Sequence, residues 1–256
     1  GNHTFYKKNV LNDSVNRWTR EITVREAFAR SINTVFGKIA LNILTPQDLS
    51  DYTIRFGFNK LIQSDLPIDV SFAEVPSEKT FHLSEIASGF NKVTTMSPIQ
   101  GAMIAASVAE LGAMRVPYII EKIKDQQGTT LFESTPITAA VTMTPQGAEE
   151  LKLLMENTIT NGTSRKSFRP LSRDRRFKEL ELGGKTGSIT GKNPAGKADW
   201  FVGYAIGEKS KLAIAAITVN VDFWTVKSSY LAQRMIQRHF NEQFNDKDKN
   251  FFNASN

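Results

Sequence analysis

The sequence predicts an α+β fold, with a helical block first, an antiparallel sheet next, and a last helix to cover the sheet. Three observations carry this expectation. Up to residue 111, runs with apolar residues three and four apart recur, most of them opened by Thr or Ser. From residue 182 the period shortens to that of strands, in three runs separated by polar turns bearing Gly and Lys. After residue 224 the helical period returns.

Residues 1–20 are polar and read as irregular. The stretch TVREAFARSINTVFGKIALNIL (23–44) places Val24, Ala27, Phe28 and Ile32, then Val35, Phe36, Ile39, Ala40 and Ile43, on helical faces. Thr23 and Glu26 have the spacing of a capping box. Ser31-Ile32-Asn33 marks a break between two shorter helices, because Ser and Asn bond nearby backbone and favour caps and turns. A Thr-Pro start predicts a short helix over 45–58, and residues 59–80 read as loop. FHLSEIASGF is a helix stopped by Gly89. SPIQGAMIAASVAEL (97–111) is a closely packed, small-residue helix with Ser97 as cap, Pro98 in first position and Gly112 as stop.

Residues 115–142 carry short β segments around VPYIIEKIKD and TTLFES, joined by a turn at QQG. A second Thr-Pro start predicts a helix over 144–159. LGGKTGSIT, WFVGYAIG and KLAIAAITVNV then form an antiparallel meander. WTVKSSYLAQRMIQRHFNEQF closes as an amphipathic helix through Val226, Tyr230, Ile236, Phe240 and Phe244, and the tail from Asp246 reads as frayed. Trp200 and Phe201 read as core residues.

The bulk numbers bound the function. The 256 residues suffice for one large domain or two small ones, and 40% hydrophobic with 23% charged residues is an ordinary globular composition. The net charge of +6 favours acidic partners in general: nucleic acid, an anionic membrane surface or a polyanionic wall. The basic residues gather in SRKSFRPLSRDRRFK (164–178), which is polar, holds a proline and reads as an exposed, solvated loop. With no cysteine, disulfides, thiolate metal sites and a cysteine nucleophile are excluded. His3, His82 and His239 are far apart, which argues against a histidine metal cluster, and His239 reads as a surface or packing residue on the last helix. No run of about 18 apolar residues is present to span a membrane.

One stretch, ELELGGKTGSITGK, looks at first like a phosphate cradle. Gly184, Lys185 and Thr186 fill the end of G-x-x-x-x-G-K-[ST], but Glu179 stands where the first glycine belongs. The GSITGKNPAGKAD that follows, with its glycines and proline, cannot begin the helix whose N-terminus would hold the anion. Lys185 is therefore a strand residue serving other chemistry.

Two short motifs then stand together: Ser31-Ile32-Asn33 at a helix break and Lys185-Thr186-Gly187-Ser188 on a strand after a glycine pair. Alone, Ser31 and Asn33 could be helix caps and Lys185 a solvated edge-strand lysine. Together with TVREAFARSINTVFGKIAL around the first motif, FGF followed by DLP, TTMSPIQGAMIAASVAELG, NGTS, and GGKTGS followed by ADWFVGYA, in that order, the chain resembles the transpeptidase domain of penicillin-binding proteins over nearly its whole length. The resemblance implies a β-lactamase/transpeptidase-like fold, incomplete here at its N-terminal side. It implies a single partial domain over 1–256, with a mainly helical region at 1–180 carrying S-x-N and the K-T-G strands and closing helix at 181–245.

The resemblance also implies a chemistry. A serine attacks the carbonyl of a peptidoglycan stem peptide or of a β-lactam and forms an acyl-enzyme, while a neighbouring lysine takes its proton. Ser31 would pass the proton to the leaving amine, and Asn33 would hold that lysine and the substrate amide. Lys185 would set a positive charge near the substrate carboxylate, and Thr186 would donate to that carboxylate. Gly187 would clear the strand for the ligand, and the Ser188 N–H would be one oxyanion donor. No metal or organic cofactor is implied. The partners implied are stem peptides, β-lactams and proteins of a cell-wall synthesis complex, outside the cytoplasmic membrane and in a membrane-anchored parent.

The sequence departs from the family in one respect: no serine has lysine three places on, and Thr4-Phe5-Tyr6-Lys7 is the nearest pattern. The expectation is that the nucleophile lies ahead of Gly1 in the parent, on a segment that packs against the helix at 97–111, and that the chain alone is inactive. A non-catalytic relative that kept the fold as a binding or scaffold module is the alternative. A basic module for nucleic acid is a third reading, and the family resemblance speaks against it.

Overall fold

A computed structural model of the chain describes residues 5–12, 15, 17, 19–65, 67–192, 195–221 and 225–253. In chain order the helices α1 (Lys7–Leu11), α2 (Val24–Ala29), α3 (Asn33–Asn42), α4 (Pro46–Arg55), α5 (Phe81–Ser88) and α6 (Pro98–Ala109) come first. Short strands β1 (Ala113–Arg115), β2 (Lys122–Lys124), β3 (Thr130–Glu133) and β4 (Thr138–Val141) follow. Then come α7 (Pro145–Thr160), α8 (Arg165–Arg173), a 3-10 turn at Arg175–Phe177, the long strands β5 (Glu181–Lys192), β6 (Ala195–Ile206) and β7 (Lys211–Asn220), and α9 (Ser228–Asn253). Helices with antiparallel sheets make this an α+β fold.

The helix starts follow local chemistry. The Thr23 hydroxyl accepts from the Glu26 N–H while the Glu26 carboxylate accepts from the Thr23 N–H, a capping box. Thr45 and Asp48 repeat it ahead of Pro46, and the Ser97 hydroxyl accepts from the Gln100 N–H ahead of Pro98.

The ends are as regular. α2, α4, α5 and α6 each close on a Schellman pair of hydrogen bonds around one residue in the left-handed region, just past the last helical turn. That residue is Gly57 (φ 82°) after α4 and Gly89 (φ 70°) after α5, but Ser31 (φ 54°) after α2 and Leu111 (φ 54°) after α6. Gly112 was expected to stop α6. It follows the turning residue, at φ 98°, where a Cβ would come within 2.2 Å of the Met143 carbonyl oxygen.

The chain forms two compact units, residues 1–19 with 33–150 and residues 20–32 with 151–256. In the first, α1 packs against α3 and α5, and the buried Phe5 ring stacks on Phe81 with centroids 5.3 Å apart. The sequence reading missed α1, a five-residue helix held by Val10 in a segment otherwise polar. β2 and β3 form the expected hairpin; β1 pairs with β4, and that pair was not expected. In the loop over 59–80, the Asp65 carboxylate accepts from the N–H groups of Ile119 and Ile120.

In the second unit β5, β6 and β7 form the expected meander. Its core gathers Ile159, Phe168, Leu171, Phe177, Phe201, Ile236 and Phe240. The segment 164–178 is thus not a solvated loop. It folds as α8 and the 3-10 turn, with Phe168, Leu171 and Phe177 at 0%, 0% and 3% exposure. Phe168 and Leu171, three apart on α8, and Phe177 in the 3-10 turn anchor it, although basic side chains dominate its composition. Phe201 is buried and Trp200 is half-buried.

α9 buries Ala232, Gln233, Ile236 and Phe240. Val226 and Tyr230, expected on the apolar face, are 38% and 47% exposed, Tyr230 being one residue off the buried line. The helix continues past Asp246 to Asn253, where fraying was expected. Trp224 and the side chain of Phe244 lie outside the described residues. Among the described residues no helix is long and apolar enough to cross a membrane.

Phe168→Ala tests the anchoring of α8. Emptying a fully buried phenylalanine site beside Phe201 should lower stability by about 3–5 kcal/mol, read as a fall in the urea midpoint.

Candidate active site

Ser31 owes its position to the end of α2. The Ile32 N–H donates to the Ala27 carbonyl and the Ser31 N–H to the Phe28 carbonyl, at 2.9 and 3.1 Å. This leaves Ser31 at the one position of the motif where glycine is usual. A side chain in that conformation is disfavoured by roughly 1–2 kcal/mol. The structure retains a hydroxyl there, and strained non-glycine residues of this kind gather at functional sites.

The turn after α7 meets the same place. The Thr163 N–H donates to the Ala29 carbonyl at 3.0 Å. A Cβ on Gly162 would lie 2.3 Å from the Ala29 oxygen, so only glycine lets the two segments approach this closely.

β5 supplies the other groups. Its pairing with β6 sets Lys185 opposite Val202 and Ser188 opposite Asp199. The Lys185 ammonium donates to the Ser31 hydroxyl and to the Thr186 carbonyl, and it lies 5.5 Å from the centre of the Phe28 ring. Neither acceptor carries a charge. Burial of the ammonium pushes its pKa down from 10.5 to about 8. The Thr186 and Thr163 hydroxyls share a hydrogen bond of 2.6 Å.

Three glycines precede or follow Lys185, and they are not equivalent. A Cβ on Gly183 would strike the Tyr204 ring at 2.4 Å, and one on Gly184 the Phe201 ring at 2.3 Å. A Cβ on Gly187 would meet nothing nearer than the Trp200 Cβ at 3.6 Å. Packing within the chain therefore demands glycine at 183 and 184 but not at 187, which is exposed and leaves the strand surface clear.

Asp199 is the residue the sequence reading missed. It is 5% exposed, and its carboxylate accepts from the Ser188 hydroxyl at 3.1 Å and from the Ser228 N–H and hydroxyl at 2.9 Å each. Counting back along the hairpin from the Lys192–Ala195 pair puts it opposite Ser188, which is the signal that could have found it.

The second unit thus brings Ser31 to Lys185, with Thr186, Gly187 and Ser188 next along β5. Asn33 is the first residue of α3 and belongs to the first unit. Thr4, of the nearest nucleophile-like pattern, lies outside the described residues, and Lys7 opens α1.

The family's sequence model, "Penicillin binding protein transpeptidase domain", matches residues 2–239, and the chain belongs to that family. It is 25% identical over 204 residues to the peptidoglycan D,D-transpeptidase PbpA of Mycolicibacterium smegmatis, covering 77% of this chain and 38% of that protein. The chain therefore spans about two fifths of the length of that relative. Among solved structures, the D,D-transpeptidase domain of a peptidoglycan glycosyltransferase from Eggerthella lenta matches with a TM-score of 0.71 at 22% identity, over 87% of this chain and 54% of that one. The penicillin G acyl-enzyme complex of penicillin-binding protein A from Mycobacterium tuberculosis matches with a TM-score of 0.68 at 22% identity, over 86% of this chain and 48% of that one. These likenesses show a transpeptidase-type fold.

Two outcomes are expected of the site. Ser31→Gly should be more stable than Ser31→Ala by about 1 kcal/mol, since both lose the hydroxyl and only alanine keeps the left-handed strain. In an ordinary helix interior the order is the reverse, so paired urea melts decide. The second outcome concerns pH. Lys185 gives up its proton near pH 8 when folded and near 10.5 when unfolded, so between these values the unfolded chain binds more protons and stability rises with pH. The burial cost is fully present below pH 8. Wild type should therefore gain on Lys185→Met as denaturation is moved from pH 7 towards pH 10.5.

Proposed function

We propose that this chain is part of a peptidoglycan D,D-transpeptidase that cross-links the cell wall through an acyl-enzyme, with the attacking serine outside these 256 residues. The observation that carries this reading is the contact of the Lys185 ammonium with the Ser31 hydroxyl beside the clear strand surface at Gly187. Both units would then belong to one transpeptidase domain, divided near residue 180 into a helical region with S-x-N and the K-T-G strands.

In this mechanism the nucleophilic oxygen attacks the stem-peptide carbonyl, the C–N bond breaks, and the amine leaves with a proton. Ser31 stands in the relay. Its oxygen accepts from Lys185 while its own O–H is available to donate to the departing nitrogen. A lysine whose pKa has come down to about 8 exchanges protons at neutral pH more readily than an ordinary one. While charged, Lys185 also attracts the substrate carboxylate, to which Thr186 donates, with Thr163 fixing the Thr186 rotamer. Gly187 admits the substrate backbone, and the Ser188 N–H polarises the carbonyl as it becomes an oxyanion. Asn33 would orient the proton-accepting lysine and the substrate amide. The same groups would take a β-lactam, and the protein would work outside the cytoplasmic membrane in an anchored parent, beside other cell-wall synthesis proteins.

Labelling with a fluorescent penicillin tests this. The full-length protein should be labelled and the 256-residue chain should not. Gly187→Ala in the full-length protein should leave its melting temperature nearly unchanged but slow acylation by about tenfold or more, the loss of roughly 1.4 kcal/mol of transition-state binding. A folded full-length protein that takes no label would instead be the binding or scaffold module.

A further inference from the structure

The basic segment is the feature the transpeptidase chemistry leaves unused. Residues 165–178 hold seven Lys and Arg against one Asp, a net charge of +6, which is the net charge of the whole chain; the other 242 residues carry 25 charges of each sign. All seven basic residues are exposed. Among the described residues only Arg176 of these is matched to a carboxylate, that of Asp174 at 2.6 Å. Arg165, Arg169 and Arg173 follow one another at i, i+4, a row with roughly 6 Å between successive charges along the axis of α8.

Folding does not explain this row. Like charges at i, i+4 repel. Arg165 and Lys166 stand in the first turn of α8, which has no acidic residue, and cations there oppose the helix dipole. The helix is held rigidly all the same, by Phe168 and Leu171 in the core and by the 2.8 Å hydrogen bond between the Ser167 and Ser229 hydroxyls. The charges are thus displayed on a fixed surface.

The partner must be anionic, and its class follows from what the surface lacks. Phe168, Leu171 and Phe177 are buried, so no apolar wedge is left to enter a bilayer. The same burial removes both aromatic rings of the segment as stacking platforms for nucleic-acid bases. What remains is a row of charges, five of the seven being arginine, whose planar fork pairs bidentately with phosphate. We propose that the exposed face of α8 and the turn after it binds a linear polyanion of repeated phosphate groups, independently of the transpeptidase reading.

The test is the affinity of the 256-residue chain for a labelled inorganic polyphosphate, followed by anisotropy across a salt series. Binding should fall steeply with salt. Arg165→Gln/Arg169→Gln/Arg173→Gln should weaken it at least about tenfold and flatten the log–log salt slope by about 2, with the melting temperature kept. A Lys166→Gln/Lys178→Gln double variant gives a second reading should the triple melt early, and it too should bind more weakly. Removing three exposed lysines elsewhere, at Lys60, Lys92 and Lys209, should leave the affinity nearly unchanged. The proposal is overturned by no binding in the wild type, or by equal losses in the two triple variants. Binding to phosphatidylglycerol vesicles without binding to polyphosphate would overturn it in favour of a membrane surface. Single-stranded DNA bound tenfold tighter than polyphosphate of equal charge would overturn it in favour of nucleic acid.

Discussion

The second unit depends on the absence of side chains at Gly183 and Gly184. The space a Cβ would fill at each is taken by an aromatic ring from the neighbouring strand, Tyr204 at the first and Phe201 at the second. Phe201 then packs on Phe168 with centroids 5.3 Å apart, and Phe168 belongs to the cluster that includes Leu171, Ile236 and Phe240. A methyl at 184 would lift the Phe201 ring, loosen α8 and disturb the strand pairing one residue from Lys185. Overpacking of this kind typically costs 1–3 kcal/mol. The glycine pair that resembles a phosphate loop in the sequence is a packing device, and it fixes where the lysine stands.

The groups around that lysine are each less comfortable than an alternative would be. Ser31 occupies a left-handed position that glycine would fill without strain. Lys185 is half-buried, with its ammonium held against two neutral acceptors, and its charge would be easier to keep in water. The two features meet in one hydrogen bond. A sequence shaped for stability alone would relieve both, so their coincidence speaks for a site where strain and lowered basicity are retained for chemistry.

Much of this was legible because local chemistry decides it. The capping boxes at Thr23 and Thr45, Pro98 behind Ser97, the glycine-marked ends of α4 and α5, and the β5–β6–β7 meander follow from short patterns that tertiary context did not override. Segment 164–178 was illegible for a physical reason: Phe168, Leu171 and Phe177 contribute the burial while basic side chains set the composition, and Pro170 sits inside the helix. Leu111 was missed because a left-handed leucine is costly and the adjacent Gly112 looked sufficient. Of the site, the two motifs could be read; Thr163 and Asp199 lay inside NGTS and ADWFVGYA without a role, because the partners that give them one, Thr186 and Ser228, lie on other elements.

Asp199 shows how the second unit keeps a carboxylate in its interior beside the site. A buried charge is expensive unless compensated, yet the three hydrogen bonds to Asp199 come from neutral donors, the Ser188 hydroxyl and the N–H and hydroxyl of Ser228. Ser228 is the first residue of α9, so the carboxylate sits at the positive end of that helix, with an orphan N–H pointing at it. The helix stands in place of a counter-ion. Compensation by backbone and hydroxyl dipoles ties β5 at Ser188 to the start of α9 and needs no cation in the interior.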